Sequence, residues 1–419
     1  MRVALIGPVP PRLGGATPGG VATHQVYLAA GLAVAGLEAP LLATNAAAGR
    51  IDPHPPDPPL PVSVRGGSQS LAFPIHFVGQ GWTSFHRFAP YTLYLARTRV
   101  GGSRREVLRN LLWYRRFLAE VRPDVIHVQH PLERCSYVRM VQRLEGWHIP
   151  LVVTAHSLFG EHSEETIHGL MAPNLRAADR VIAVGEPIAE QAVHLGVAAE
   201  RVTVIRSGVD VERFRPRDRQ DARRRLGIPA ETPVVLFVGN LEPRKQVDVL
   251  LQATQCVRER LPALLVFIVG SGQSAGAQDQ SERLIGLRRD LNLDLSVRFV
   301  GQVDDQQLLD YYAAANAFAL PSSSEAQGIV ALEAMASGLP VVATAVGGLR
   351  GTIHDGHTGF LVASGELAPL AERLTELLRD AHRAETMGAA ARQSVERYFS
   401  WRRAVDATIQ VYRELLTCH

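Results

Sequence analysis

The stretch Pro321-Ser322-Ser323-Ser324-Glu325-Ala326-Gln327-Gly328-Ile329-Val330-Ala331-Leu332-Glu333-Ala334-Met335-Ala336 decides how the rest of the chain reads. Ahead of it, Ala317–Leu320 is an apolar run of strand length, and the spacing after the serines predicts a helix opening at about Gln327. A strand, a small polar turn and a helix start bring unpaired amides and the positive end of a helix dipole to one point. Gly328 lets a ligand approach that backbone closely. Such a place receives an anion, and a pyrophosphate suits it, with the backbone N–H groups of Gln327, Gly328 and Ile329 as donors. Helical side chains lean toward the N-terminus, so Glu333 reaches back to accept from a ribose diol. Glu325, before the helix, faces the far end of the ligand. Carboxylates on both sides of a phosphate site fit a molecule with hydroxyls at each end and charge between: a nucleotide sugar. Two glutamates on a solvated helix are the plain alternative, and the preceding strand and Gly328 weigh against it.

Working outward, apolar runs recur between helical patterns at Val3–Ile6, Leu41–Ala43, Val125–Val128, Leu151–Thr154, Val181–Val184 and Val202–Ile205. A second series follows at Val234–Val238, Leu264–Val269, Val297–Val300, Ala317–Leu320 and Val341–Ala343. Runs apolar on both faces belong to buried parallel sheets, and their alternation with helices predicts right-handed βαβ units. At 419 residues the chain is too long for one core. The series breaks after Ile205 at an Arg- and Asp-rich stretch closed by Gly227, Pro229 and Pro233. The expected organisation is a first domain over 1–207, a linker with one short charged helix over 208–232, and a second domain over 233–399. The final segment, 400–419, is an amphipathic helix with Val405, Ile409, Tyr412 and Leu416 at helical spacing.

The paired-glutamate stretch resembles the motif of retaining glycosyltransferases of the GT-B fold, specifically glycosyltransferase family 4. Other stretches resemble the same family in order: Gly19-Gly20-Val21 its glycine-rich first loop, Thr154-Ala155-His156-Ser157 its histidine strand end, and Ser207-Gly208-Val209-Asp210 its entry to the linker. Gly239-Asn240-Leu241-Glu242-Pro243-Arg244-Lys245 resembles its basic donor-phosphate loop, and Ser400-Trp401 its closing helix. The resemblance implies two Rossmann-like parallel-sheet domains facing across a cleft, an α/β architecture. It implies that the second domain holds a UDP- or GDP-linked hexose or N-acetylhexosamine and the first an acceptor hydroxyl. Transfer would retain the anomeric configuration, need no metal or cofactor, and use the nucleotide sugar as co-substrate. Lys245 would neutralise the leaving diphosphate, Glu325 would meet the sugar, and backbone near Val303 would read the base. His156 would contact the transferred sugar without acting as a general base. Asn240 departs from the family, which has arginine directly after the first glycine; Arg244 is the candidate to supply the missing charge.

The residues support these roles separately. Arg244 and Lys245 lie at the C-terminal end of a strand, where open α/β sheets bind ligands, and both can hold phosphate. Gly20 lies in a first turn that permits close backbone approach, without the spacing of a dinucleotide fingerprint. His127 and His130 are three apart on a predicted strand, which points them to opposite faces, and no histidine–carboxylate cluster has metal-binding spacing.

Composition bounds the rest. A net charge of +3 gives no concentrated basic face for nucleic acid. Cys135, Cys256 and Cys418 form no pair pattern, as expected of a reducing cytoplasm. No run reaches the length of a membrane span. Arg97 to Arg116 holds seven arginines and one acid, Glu106; a solvated helix face is the plain reading, and peripheral contact with the inner face of a membrane or an anionic acceptor is the other. The acceptor classes left open are a small molecule, a lipid-linked group or a glycan. The proline-rich loop Pro53–Pro61 has no assigned role. Competing readings are a nucleotide-sugar epimerase or a phosphorylase on the same fold, and an inactive sugar-nucleotide-binding scaffold.

Overall fold

The computed structural model describes residues 1–8, 20–43, 75–77, 104–157, 162–272 and 280–417. Gly19, Pro53–Pro61 and residues 97–103 of the arginine-rich segment lie outside them. Among the described residues the first sheet holds seven strands: β1 (Val3–Gly7), β2 (Leu41–Ala43), β3 (Ile75–Phe77), β4 (Val125–Gln129), β5 (Leu151–Ala155), β6 (Arg180–Ala183) and β7 (Val202–Val204). The second holds six: β8 (Val234–Val238), β9 (Leu265–Val269), β10 (Val297–Gly301), β11 (Ala317–Leu320), β12 (Val341–Thr344) and β13 (Gly359–Val362). Their orders are β3-β2-β1-β4-β5-β6-β7 and β10-β9-β8-β11-β12-β13. Among the described residues every strand pairing of the two sheets is parallel, for example Leu5 with Leu41 and Val235 with Ala317.

In both sheets the chain runs outward one way, returns to the centre and continues the other way. The reversal falls between β1 and β4 in the first sheet and between β8 and β11 in the second. At such a switch point neighbouring loops part above the strand ends and leave a crevice. Short, fully buried β-branched strands explain why the central elements were legible. The edge strands β3 and β13 were not read, because His76 interrupts the first and the second opens on Gly359.

Burial separates the core into one cluster for the second domain and two for the first, one on each face of its sheet. The closing helix, Trp401–Thr417, packs in a first-domain cluster with Val26, Leu28 and Leu32 of the helix Gly20–Val34. Tyr412 is fully buried there, while Leu416 is exposed and its neighbour Leu415 is buried instead. The 208–232 segment differs from a free linker: Val209, Phe214, Ala222 and Ile228 are all buried in the second-domain core. Its charged helix, Arg219–Leu226, is capped by Asp218 accepting from the Asp221 amide at 2.8 Å and ends at Gly227 in the left-handed region.

The described part of the arginine-rich segment forms the helix Arg104–Val121, which buries Val107, Leu111, Phe117 and Leu118. Arg115 pairs with Glu145 and Arg116 with Glu120. Among the described residues, no helix is long and apolar enough to cross a membrane.

Candidate active site

A cleft of about 290 Å³ opens where the C-terminal ends of the two sheets face each other. The first domain contributes His156 and Ser157 beyond β5, Val184 beyond β6, and Val21 and Thr23 from the first helix. From the second domain come the loops after β8, β9, β10 and β11. Asn240, Arg244, Lys245, Val303, Glu325, Gln327, Gly328, Ile329 and Glu333 all line it, so nearly every expected site residue converges there. Gly20 is the exception. It opens the helix Gly20–Val34, and the residues of that helix that border the cleft are Val21 and Thr23.

The helix behind the paired glutamates spans Ile329–Ala336, two residues later than the spacing predicts. Gly328 is its N-cap with φ 79°, a left-handed conformation that breaks the helix before Gln327 can join. The amides of Ile329 and Val330 therefore begin the helix and have no intrahelical acceptor. Gln327 also has a different task from an amide donor. Its side-chain oxygen accepts from the Ser207 amide at 2.8 Å and its nitrogen donates to the Ser207 carbonyl at 2.7 Å. That side chain thus ties the helix start to the chain crossing between the domains.

Lys245 and Glu325 are both buried, and the ammonium donates to Glu325 Oε1. Ser322 Oγ donates to the same oxygen at 2.9 Å. Glu325 is therefore set among donors, with the Lys245 side chain against it. The expected division, with lysine on phosphate and glutamate on sugar, becomes one coupled cluster before any ligand enters. The two loops are also joined through backbone, because the Ser323 amide donates to the Arg244 carbonyl at 2.7 Å. Arg244 is engaged by Glu242 at 2.7 Å, and Asn240 Nδ2 lies 3.4 Å from the same carboxylate. Glu242 thus draws off part of the positive charge that Arg244 was expected to supply.

Glu333 is half-buried at the cleft wall and accepts from the buried Tyr312 hydroxyl at 2.8 Å. Burial raises its pKa to about 7, against the opposing effects of the Tyr312 bond and of Arg213. His156 is 8% exposed, and its Nε2 lies 2.8 Å from Gln129 Oε1. Burial, aided by nearby His24, pushes its pKa well below the ordinary value, so the ring is neutral.

His130 departs from the strand reading. It lies just past β4 with φ 74°, its ring 6.4 Å from that of His156 and its Nε2 3.1 Å from His162 Nε2. Among the described residues, no group of three or more His, Cys, Asp or Glu is placed to hold a metal ion.

Several lining residues were not anticipated. Gly270 and Ser271 follow β9, and a Cβ on Gly270, at φ 132°, would overlap the Gly239 carbonyl. Gly347 lies outside the lining but beneath Glu325, at φ 48°, and a Cβ there would overlap the Glu325 carbonyl. Each is a glycine directly after an apolar run, in Val269-Gly270-Ser271-Gly272 and Ala345-Val346-Gly347-Gly348.

Comparison with known proteins places this geometry. The pattern of the family described as "Glycosyltransferase Family 4" matches residues 18–213, and that of "Glycosyl transferases group 1" matches residues 218–394. A D-inositol 3-phosphate glycosyltransferase of Saccharomonospora viridis is 39% identical over 308 residues, covering 70% of this chain and 70% of that protein. The chain belongs to glycosyltransferase family 4. A protein of the same name from Corynebacterium aurimucosum is 35% identical, covering 72% of this chain and 75% of its own. Among solved structures, sucrose-phosphate synthase from Thermosynechococcus elongatus superposes with a TM-score of 0.77 at 27% identity, covering all of both chains. Anabaena HepE, solved with UDP and glucose, superposes with a TM-score of 0.73 at 21% identity over 99% of this chain and all of its own. The glycosyltransferase therefore has the GT-B fold, with its paired glutamates at the switch point of the second sheet.

Proposed function

We propose that this family 4 glycosyltransferase moves a hexosyl or N-acetylhexosaminyl group from a UDP- or GDP-linked donor to an acceptor hydroxyl, with retention and without a metal ion. The observation that carries this reading is the pair of carboxylates on either side of one helix start. Glu325 sits with Lys245 on one side and Glu333, held by the buried Tyr312, on the other, and Lys245 and both glutamates border one interdomain cleft. In this reading Glu333 takes the ribose diol, and the Ile329 and Val330 amides with Lys245 take the diphosphate. Glu325 takes sugar hydroxyls, and the backbone near Val303 takes the base. His156, from the opposite domain, meets the sugar or the acceptor. As the sugar–phosphate bond loosens, the departing phosphate gains charge, and Lys245 and the helix start stabilise it in place of a cation. Closing of the domains around the donor excludes water and limits its hydrolysis.

The names of the relatives support D-inositol 3-phosphate as the first acceptor to assay. The purified chain is incubated with UDP- and GDP-linked hexoses and N-acetylhexosamines in excess EDTA, with that acceptor and with water alone. Expected is one preferred donor and a product, or released sugar, of the donor's own anomeric configuration by proton NMR. Inversion at the anomeric carbon, or activity abolished by EDTA and restored by a divalent cation, refutes the corresponding part of the proposal.

A further inference from the structure

A chain of hydrogen bonds runs from the closing helix to His156. Tyr412 places its hydroxyl 2.5 Å from His127 Nδ1. His127, fully buried on β4, has its Nε2 2.7 Å from Thr154 Oγ1 and 3.4 Å from Gln129 Nε2. Gln129, also fully buried, has its Oε1 2.8 Å from His156 Nε2. Both rings are neutral, because burial lowers His127 to about 3 and His156 well below its ordinary value. The other rings around His156 add no charge: burial also lowers His24 and His130 to about 3.

A neutral imidazole carries one proton, and the partners decide which nitrogen holds it. An amide nitrogen can only donate, so with Gln129 Nε2 beside it, His127 Nε2 accepts, from the amide and from the Thr154 hydroxyl. His127 then carries its proton on Nδ1 and donates to the Tyr412 oxygen. With its nitrogen turned to His127, Gln129 turns its oxygen to His156. His156 Nε2 therefore donates to that oxygen, and Nδ1 keeps its lone pair.

We propose that Tyr412, His127 and Gln129 are positioning residues that fix His156 as its Nε2–H tautomer, so that its Nδ1 accepts from a substrate hydroxyl. The hydroxyl's role in sugar transfer rests on the function proposed above; the tautomer does not. A neutral nitrogen with a lone pair is repelled by phosphate oxygen and attracted by O–H. The arrangement thus directs His156 to the sugar or acceptor and away from the diphosphate. It also makes the closing helix part of the site, although Tyr412 itself lies away from the cleft lining.

The test uses the full chain labelled with nitrogen-15 histidine, with His156 resonances assigned by their loss in His156→Asn. Long-range nitrogen–proton correlation should show His156 protonated on Nε2; protonation on Nδ1 overturns the proposal without any activity being measured. Tyr412→Phe removes only the acceptor for His127 Nδ1–H. His127 should then move its proton to Nε2, Gln129 should turn over, and His156 should become Nδ1-protonated. Turnover should fall on the order of 10- to 100-fold with the donor KM unchanged. An unchanged His156 tautomer in folded Tyr412→Phe, or a KM that rises in step with the loss of kcat, overturns the relay. Should that variant fail to fold, the tautomer of the unaltered chain decides. Failure of the transferase reading shows separately, as absent turnover in the unaltered chain.

Discussion

At the scale of single residues, the buried pair of Lys245 and Glu325 stands in the wall of the cleft. Breaking such a pair from one side leaves a charge without its partner, which typically costs more than the intact pair contributes. Lys245→Met and Glu325→Gln should each lower stability by about 2–4 kcal/mol. The double variant should lose less than their sum, as read in a double-mutant cycle of denaturant unfolding. Lys245→Met should also weaken nucleoside-diphosphate binding about 10- to 100-fold by calorimetry; unchanged affinity removes it from the phosphate site. Glu333 supplies a pH signature. Its folded pKa is raised from the model-peptide value of 4.5 to about 7, so the folded chain holds a proton that the unfolded chain has released. That contribution to stability is full below the unfolded value and is lost as pH rises through about 7. A ribose diol donates to the ionised form, so donor affinity should rise from pH 6 to 8, and Glu333→Gln should flatten both trends. A donor affinity that falls over this range contradicts the ribose assignment. The types and spacing of these glutamates were legible in the sequence. Their partners were not: Lys245 is 80 positions from Glu325, and they meet because β8 and β11 are neighbours across the switch point.

Elements place the site through turns that side chains cannot enter. Gly347 supports the backbone of Glu325 from beneath, and the Gly348 amide donates to the Glu325 carbonyl at 3.0 Å. Gly347→Ala should combine a left-handed strain with a displaced Glu325, lowering stability by at least about 1–3 kcal/mol. Turnover should fall more than nucleotide affinity does; a variant with unaltered turnover and melting temperature removes the loop from the site. Element identity was readable wherever apolar runs were long or buried on both faces. The helix start was read two residues early, because apolar periodicity carries no information about the sign of φ at Gly328. The histidine strand ends were read one at a time, and their convergence depends on the order of β1, β4 and β5, which spacing along the chain does not encode.

Across the whole molecule, the chain crosses between the domains twice, side by side. The Val209 amide donates to the Phe399 carbonyl at 2.8 Å, and a Cβ on Gly208 would run into the backbone of Trp401. Gln327 joins this hinge to the helix start through its two bonds to Ser207. Gln327→Leu should leave each domain folded but loosen their relation. The expected outcome is a larger radius of gyration by X-ray scattering and a higher donor KM; an identical scattering curve contradicts a role in domain arrangement. The two-domain plan was legible from the break after Ile205. The burial of Val209, Phe214, Ala222 and Ile228 in the second core was not, because a charge-rich composition conceals four inward positions. The paired crossings bear on how the molecule is made. Residues 209 to 399 form a loop out of the first domain, so a ribosome finishes the second domain while the first still lacks Trp401–Thr417. Until that helix is synthesised, the surface awaiting it, including Leu28 and Leu32, stays uncovered. The first domain is therefore completed only after the second, and loss of the seventeen residues Trp401–Thr417 should leave newly synthesised chains prone to clump rather than merely inactive.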